Sequence, residues 1–122
     1  MKPLLFSILS LLLTHHILFA SDDIDSSFIT KFEYGAMLYK NPRGIGCHKC
    51  HGKGNKEVVI AMYKDKKGKT HALKAPPIAK VSYETFSKKL NAKKNRSFVM
   101  PTYFLTQNEI KSIYHYITTL NK

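Results

Sequence analysis

The apolar and polar positions of the chain change period several times, and those changes divide it into elements. From residue 28 to about 40, Phe28, Ile29, Phe32, Ala36 and Tyr39 recur near helical spacing and give one apolar face. Ser26 or Ser27 stands where such a helix would be capped. Gly35 lies inside that face, where glycine costs about 1 kcal/mol against alanine, so its presence points to a close helix crossing. Asn41-Pro42-Arg43-Gly44-Ile45-Gly46 breaks the helix and predicts a loop. Gly52 to Lys56 reads as a flexible turn. Val58 to Tyr63 is apolar and β-branched, Lys64 to Lys69 is a charged turn, and Thr70 to Leu73 is a second short run; together they predict a small hairpin. Ser82 caps a short helix to about Asn91, with Phe86 and Leu90 inward and Lys88 and Lys89 outward. Asn91 to Ser97 is a basic loop. Thr106-Gln107-Asn108-Glu109 is a capping box that opens a last helix to about Leu120, with Ile110, Ile113, Tyr116 or Ile117, and Leu120 on one face. The sum is an all-α domain of three to four helices with room for one small β-hairpin, and neither a repeat nor a low-complexity segment interrupts it.

The first twenty residues follow a different pattern. Met1-Lys2 is a short positive start, Leu4 to Leu13 is a ten-residue apolar run, and Ala20 is a small residue at a plausible cleavage point. The apolar run is broken at Thr14-His15-His16 and falls short of the ~20 residues a membrane span needs, which argues against a retained anchor. The expectation is a cleaved export signal over residues 1–20 and one domain over residues 21–122, beginning with a loose polar start. His15 and His16 are then discarded, and no stable membrane insertion remains.

The chemistry of the chain concentrates in Cys47-His48-Lys49-Cys50-His51. This is C-x-x-C-H, the spacing for covalent attachment of a c-type haem. Two thiols one helical turn apart can each add across a vinyl group of one porphyrin, and the histidine that follows can bind the iron beneath the ring. A structural zinc site would need a second ligand pair at similar spacing, and none exists. A redox C-x-x-C of the thioredoxin kind would want a βαβ setting, which is absent. Both cysteines of the chain lie in the motif, so haem attachment would leave no structural disulfide. Export and attachment support each other, and the porphyrin would add apolar surface to the modest core of a mature domain of about 102 residues.

With these residues in view, the chain resembles the class I c-type cytochromes, the small monohaem type represented by c553- and c6-like members. The resemblance rests on Gly35 and Tyr39, on Cys47 to His51, on Ala75-Pro76-Pro77-Ile78, on Met100-Pro101 and on Ile113 to Ile117, and it covers residues 26 to 120. It implies the cytochrome c fold around one covalent haem c, with thioethers at Cys47 and Cys50 and iron ligated by His51. It implies that Gly35 lets the first and last helices touch. It also implies that a proline carbonyl, Pro76 or else Pro77, takes the second ring N–H of His51, an arrangement that fixes ring orientation and tautomer in haem sites generally. The loop before Cys47 is longer than in the shortest family members.

For the sixth iron ligand the mature chain offers Met37, Met62, Met100, His71 and His115. Met100 lies in an irregular segment 49 residues after His51, is stiffened by Pro101, and matches the family's Met-Pro. Met37 and Met62 suit the role of core filler better, and His48 points away from the ring in this family.

The charge is unevenly placed. Residues 40 to 96 carry 16 Lys and Arg against Glu57, Asp65 and Glu84, a net +13, while the rest of the mature chain is −2. In the family this segment wraps the haem, so a basic surface there would steer acidic docking partners toward it. No nucleic-acid motif accompanies the charge. These readings give a monomeric periplasmic electron carrier, not an enzyme, shuttling single electrons between respiratory redox proteins such as an oxidase, peroxidase or reductase. Two alternatives differ in kind. A haem protein with an open sixth site, a gas sensor or weak peroxidase, would need a distal base, for which only His71 is available. A subunit docked on a larger oxidoreductase would carry a large exposed apolar patch.

Overall fold

The computed structural model describes residues 28–91 and 99–122. In chain order these form helix α1 (Lys31–Lys40), helix α2 (His48–His51), strands β1 (Val58–Lys64) and β2 (Thr70–Ala75), helix α3 (Tyr83–Leu90) and helix α4 (Gln107–Leu120). The export signal, the loose start, the cap at Ser26 or Ser27 and the basic loop after Asn91 lie outside the described residues.

Helix α1 begins later than its apolar spacing predicts. Thr30 is the N-cap; its hydroxyl accepts from the Glu33 N–H at 3.2 Å, and the Glu33 carboxylate accepts from the Thr30 N–H at 2.9 Å. This reciprocal capping box satisfies two otherwise orphaned donors and fixes the start. Phe28 and Ile29, expected on the buried face, therefore precede the helix and are exposed. The face that α1 does bury is Gly35, Leu38 and Tyr39.

Helix α4 starts at a second capping box, between Thr106 and Glu109. It buries Ile110, Ile113 and Ile117 almost completely, while Leu120, expected on the same face, is exposed. Asn121 instead closes that end, its amide donating to the carbonyls of Ile117 and Lys53 at 2.8 Å each. Where α1 crosses α4 the backbones are in contact. A Cβ built on Gly35 would overlap the Ser112 carbonyl oxygen and lie 2.8 Å from Cβ of Tyr116. Around this point the Tyr116 ring meets those of Phe32 and Tyr39, with centroids 5.1 and 5.6 Å apart. Helix α3, capped by Ser82, adds Phe86 and Leu90 to the same core and leaves Lys88 and Lys89 exposed, as the sequence predicts.

The hairpin forms as a two-stranded antiparallel sheet, pairing Val58 with Ala75 and Lys64 with Thr70, with an irregularity between Val59 and Ala61. Asp65 organises its turn: Oδ1 accepts from the N–H groups of Lys67 and Lys69, and Gly68 supplies a positive φ of 76°. Among the described residues no helix is long and apolar enough to cross a membrane.

The crossing generates a stability prediction. Gly35→Ala must push α1 off α4 against backbone that cannot yield, a forced overpacking that costs about 1–3 kcal/mol. Gly68→Ala, with nothing within 4 Å of its added methyl group, carries only the backbone cost of a non-glycine residue at positive φ, of order 1 kcal/mol. Denaturant midpoints of the two variants check the order, which should place Gly35→Ala lower.

Candidate functional site

The C-x-x-C-H residues form a single helical turn. Cys47 is the N-cap of α2, its N–H donates to the Tyr39 carbonyl at 2.9 Å, and its own carbonyl accepts from the His51 N–H at 2.9 Å. Residues three and four apart on a helix share a face, so Cys47, Cys50 and His51 stand together. Both thiols are free and half-buried, and Cys47 packs against the hydrophobic core. Burial first, with the neighbouring Cys50 adding to it, pushes the Cys47 thiol up to about 11.

His51 is held from the other side of the hairpin. Its Nδ1 lies 3.0 Å from the carbonyl oxygen of Pro76. A carbonyl can only accept, so Nδ1 is the donor, which leaves Nε2 as the ring nitrogen that faces away from this bond. The chain after His51, expected to be flexible, is pinned instead. Tyr39, buried in the core, donates from its hydroxyl to the Gly52 carbonyl at 3.0 Å. The Gly54 carbonyl accepts from both Ile78 and Ala79, and at φ 81° a Cβ on Gly54 would press on Ile78 and Ile117 at 3.1 Å. The glycines that suggested looseness are there for close approach.

Met100 is half-buried and packs against the same core as Cys47, Ile78 and Tyr103, in the irregular segment before α4. Met37 and Met62 are 56% and 62% exposed, so neither is the core filler that the sequence suggested. His71 is engaged within the hairpin: Nε2 lies 2.8 Å from Oδ2 of Asp65, and its ring stacks on Tyr63 at 5.5 Å. His48 and His115 are exposed.

A polar cluster that sequence reasoning missed joins the loop before Cys47 to the segment after Met100. The Arg43 guanidinium donates to both carboxylate oxygens of Glu109, at 2.8 and 3.0 Å, and to the Phe104 carbonyl at 2.7 Å. Tyr103 donates from its hydroxyl to the Ile45 carbonyl at 2.6 Å, and burial, with the nearby Cys47 and Cys50 adding to it, raises that phenol to about 12. Hydrogen bonds from Arg43 and Thr106 hold the buried Glu109 carboxyl down to about 2. Glu109 was legible as a cap, and nothing in the spacing announced its second partner.

The residues fit a covalently attached haem. Two free thiols and a histidine with its outer nitrogen available share one turn. Ile45, Val99 and Phe104, next to the motif and to Met100, are exposed apolar side chains of the kind a porphyrin would cover. Among the described residues no group of three or more His, Cys, Asp or Glu is placed to hold a metal ion by itself. The family model described as Cytochrome c matches residues 32–121. No curated protein and no solved structure matches the chain.

The Glu109 contact makes an acid-stability prediction. Its carboxyl titrates near 2 when folded against an ordinary 4.5, so its contribution is complete above about 4.5 and is lost as pH falls toward 2. Urea midpoints of the parent protein should drop across that window, and Glu109→Gln, weaker at neutral pH, should drop less steeply. Equal slopes would show that the pair contributes nothing pH-dependent.

Proposed function

Because the chain belongs to the cytochrome c family, a family of haem-binding electron carriers, we propose that it is an exported periplasmic monohaem cytochrome that shuttles single electrons between respiratory redox proteins. The observation that carries the reading is one turn of helix holding two free thiols and His51, with the His51 ring oriented by the Pro76 carbonyl.

Cys47 and Cys50 would hold the haem through thioethers, and His51 Nε2 and the Met100 sulfur would ligate the iron. Bound haem supplies a one-electron Fe(II)/Fe(III) couple, with thioether ligation favouring the reduced state relative to two histidines. The residues of the chain do the rest. Pro76 fixes the tautomer and plane of His51, and Tyr39 anchors the chain at Gly52 so that the ligand turn keeps its place. If His51 and Met100 both hold the iron, the protein itself would supply the ligands that an open site would leave to small molecules, which suits a carrier and not a catalyst. His71, the candidate for a distal base, bonds Asp65 and stacks on Tyr63 within the hairpin.

Charge completes the reading. Lys64, Lys66, Lys67 and Lys69 are exposed around the hairpin turn, and Lys74 pairs with Glu57 at 2.8 Å. The exposed lysines suit fast, salt-sensitive encounter with acidic redox partners.

Covalent haem is tested first. The mature protein should show the mass of one haem that survives acid-acetone extraction, and Cys47→Ala or Cys50→Ala should lose most holoprotein; apoprotein mass after expression in a maturation-competent periplasm would refute the proposal. Met100→Ala should abolish the weak sulfur-to-iron band at the red end of the oxidised spectrum and admit carbon monoxide to the reduced protein.

Electron transfer to an acidic partner should slow steeply with ionic strength, since screening acts over ~8–10 Å near physiological salt. Charge reversal at Lys49 or Lys53 should slow association more than reversal at Lys31 or Lys122, at little change in potential. A second-order rate that is flat in salt would leave these lysines as solubility residues.

A further inference from the structure

The loop over residues 41–46 leads into Cys47, and the fold holds it firmly. Pro42 is fully buried. Arg43 adopts φ 60°, a left-handed conformation that non-glycine residues rarely take, although Gly44 stands next to it. Strain of this kind persists where the surroundings over-determine it, and here the surroundings are three charge-assisted hydrogen bonds. The Arg43 fork closes on both oxygens of Glu109, and one of its nitrogens also reaches the Phe104 carbonyl. The second Glu109 oxygen accepts from the Thr106 N–H at 2.7 Å, so the same carboxylate fixes the first turn of α4. Tyr34 adds a longer contact, 3.4 Å from its hydroxyl to Glu109. Beside this cluster, Tyr103 is bonded to the Ile45 carbonyl.

The two chain segments joined in this way have distinct tasks. Ile45 is two residues before Cys47, and Tyr103 is three residues after Met100. A chain extends at most ~3.6 Å per residue, so Met100 is tethered within roughly 11 Å of Tyr103 and Cys47 within roughly 7 Å of Ile45. Pro101 removes part of the remaining freedom. On the reading that Met100 ligates the iron, we infer that Arg43 is a positioning residue: by clamping Glu109 and the Phe104 carbonyl to the loop that leads into Cys47, it sets how firmly the Met100 sulfur is presented to the metal. In this role it acts through the segment that carries Met100.

The test uses the holoprotein, three variants of the clamp and Met100→Ala. Arg43→Gly removes the clamp while allowing φ 60° at no steric cost, so backbone strain is relieved and not added. Its oxidised form should lose intensity in the sulfur-to-iron band, its reduced form should bind carbon monoxide that the parent protein excludes, and its potential should shift down. Arg43→Lys keeps the charge without the fork and should recover part of each signal. Tyr103→Phe removes only the neighbouring bond to Ile45 and should move the same readouts in the same direction by less; it also serves if Arg43→Gly yields no holoprotein. Denaturant midpoints are recorded in parallel. A lower midpoint with an unchanged band and no carbon monoxide binding would make the clamp purely structural and overturn the inference, as would three variants identical to the parent. Met100→Ala separates the two levels: if the band survives that substitution, the ligand reading itself fails and the inference with it, whereas loss there together with an intact band in Arg43→Gly and Tyr103→Phe rejects the positioning role alone.

Discussion

The rest of the structure depends on the direct contact of two helix backbones. With no side chain at Gly35, α1 sits against the Ser112 carbonyl of α4, close enough for Leu38 and Tyr39 to reach the row of Ile110, Ile113 and Ile117. From that contact the placement of the ligand turn follows by short steps. Tyr39 stands at the end of the buried stripe of α1; its carbonyl takes the Cys47 N–H and its hydroxyl bonds the Gly52 carbonyl. One core residue thus holds the backbone just before and just after the C-x-x-C-H turn. Packing density transmits position here because interiors are nearly incompressible.

Charged groups divide between two environments with different physics. The lysines at the hairpin turn are exposed, where a single pair contributes little and salt screens it. Arg43 and Glu109 form a forked pair whose carboxylate is mostly shielded from water and also caps a helix. The first set suits transient encounter and the second suits fixed geometry, and the chain keeps them on different segments.

Much of this was legible in the sequence because the signals were local. The C-x-x-C-H turn, the Thr106 capping box, the Ser82 cap and the hairpin depend on residues within a few positions of one another, and each formed where spacing placed it. The glycine at residue 35 was readable as a crossing because a helix interior has few other uses for it. What failed was competition between local signals, and contacts between distant ones. The Thr30 box overrode an apolar spacing that ran back to Phe28. Gly52 and Gly54 looked loose because glycine has the same letter in a mobile turn and in a crowded one. The Arg43–Glu109 pair spans 66 residues, and neither partner carries a mark of the other. The Pro76 carbonyl beside His51 was anticipated only with help from a family resemblance, since the two are 25 residues apart.

The bond between His51 and Pro76 closes a loop, and the hairpin is what lies inside it. The feet of that hairpin are fixed: Gly54 at one end is bonded to Ile78 and Ala79 at the other. Everything between the feet is then free to change length at small thermodynamic cost, because loop-closure entropy grows only with the logarithm of loop size. The span from Asn55 to Ala75 is therefore an interchangeable cassette. Its lysines and exposed side chains can be rewritten, shortened or extended while the bond from the histidine to Pro76 stays at the feet.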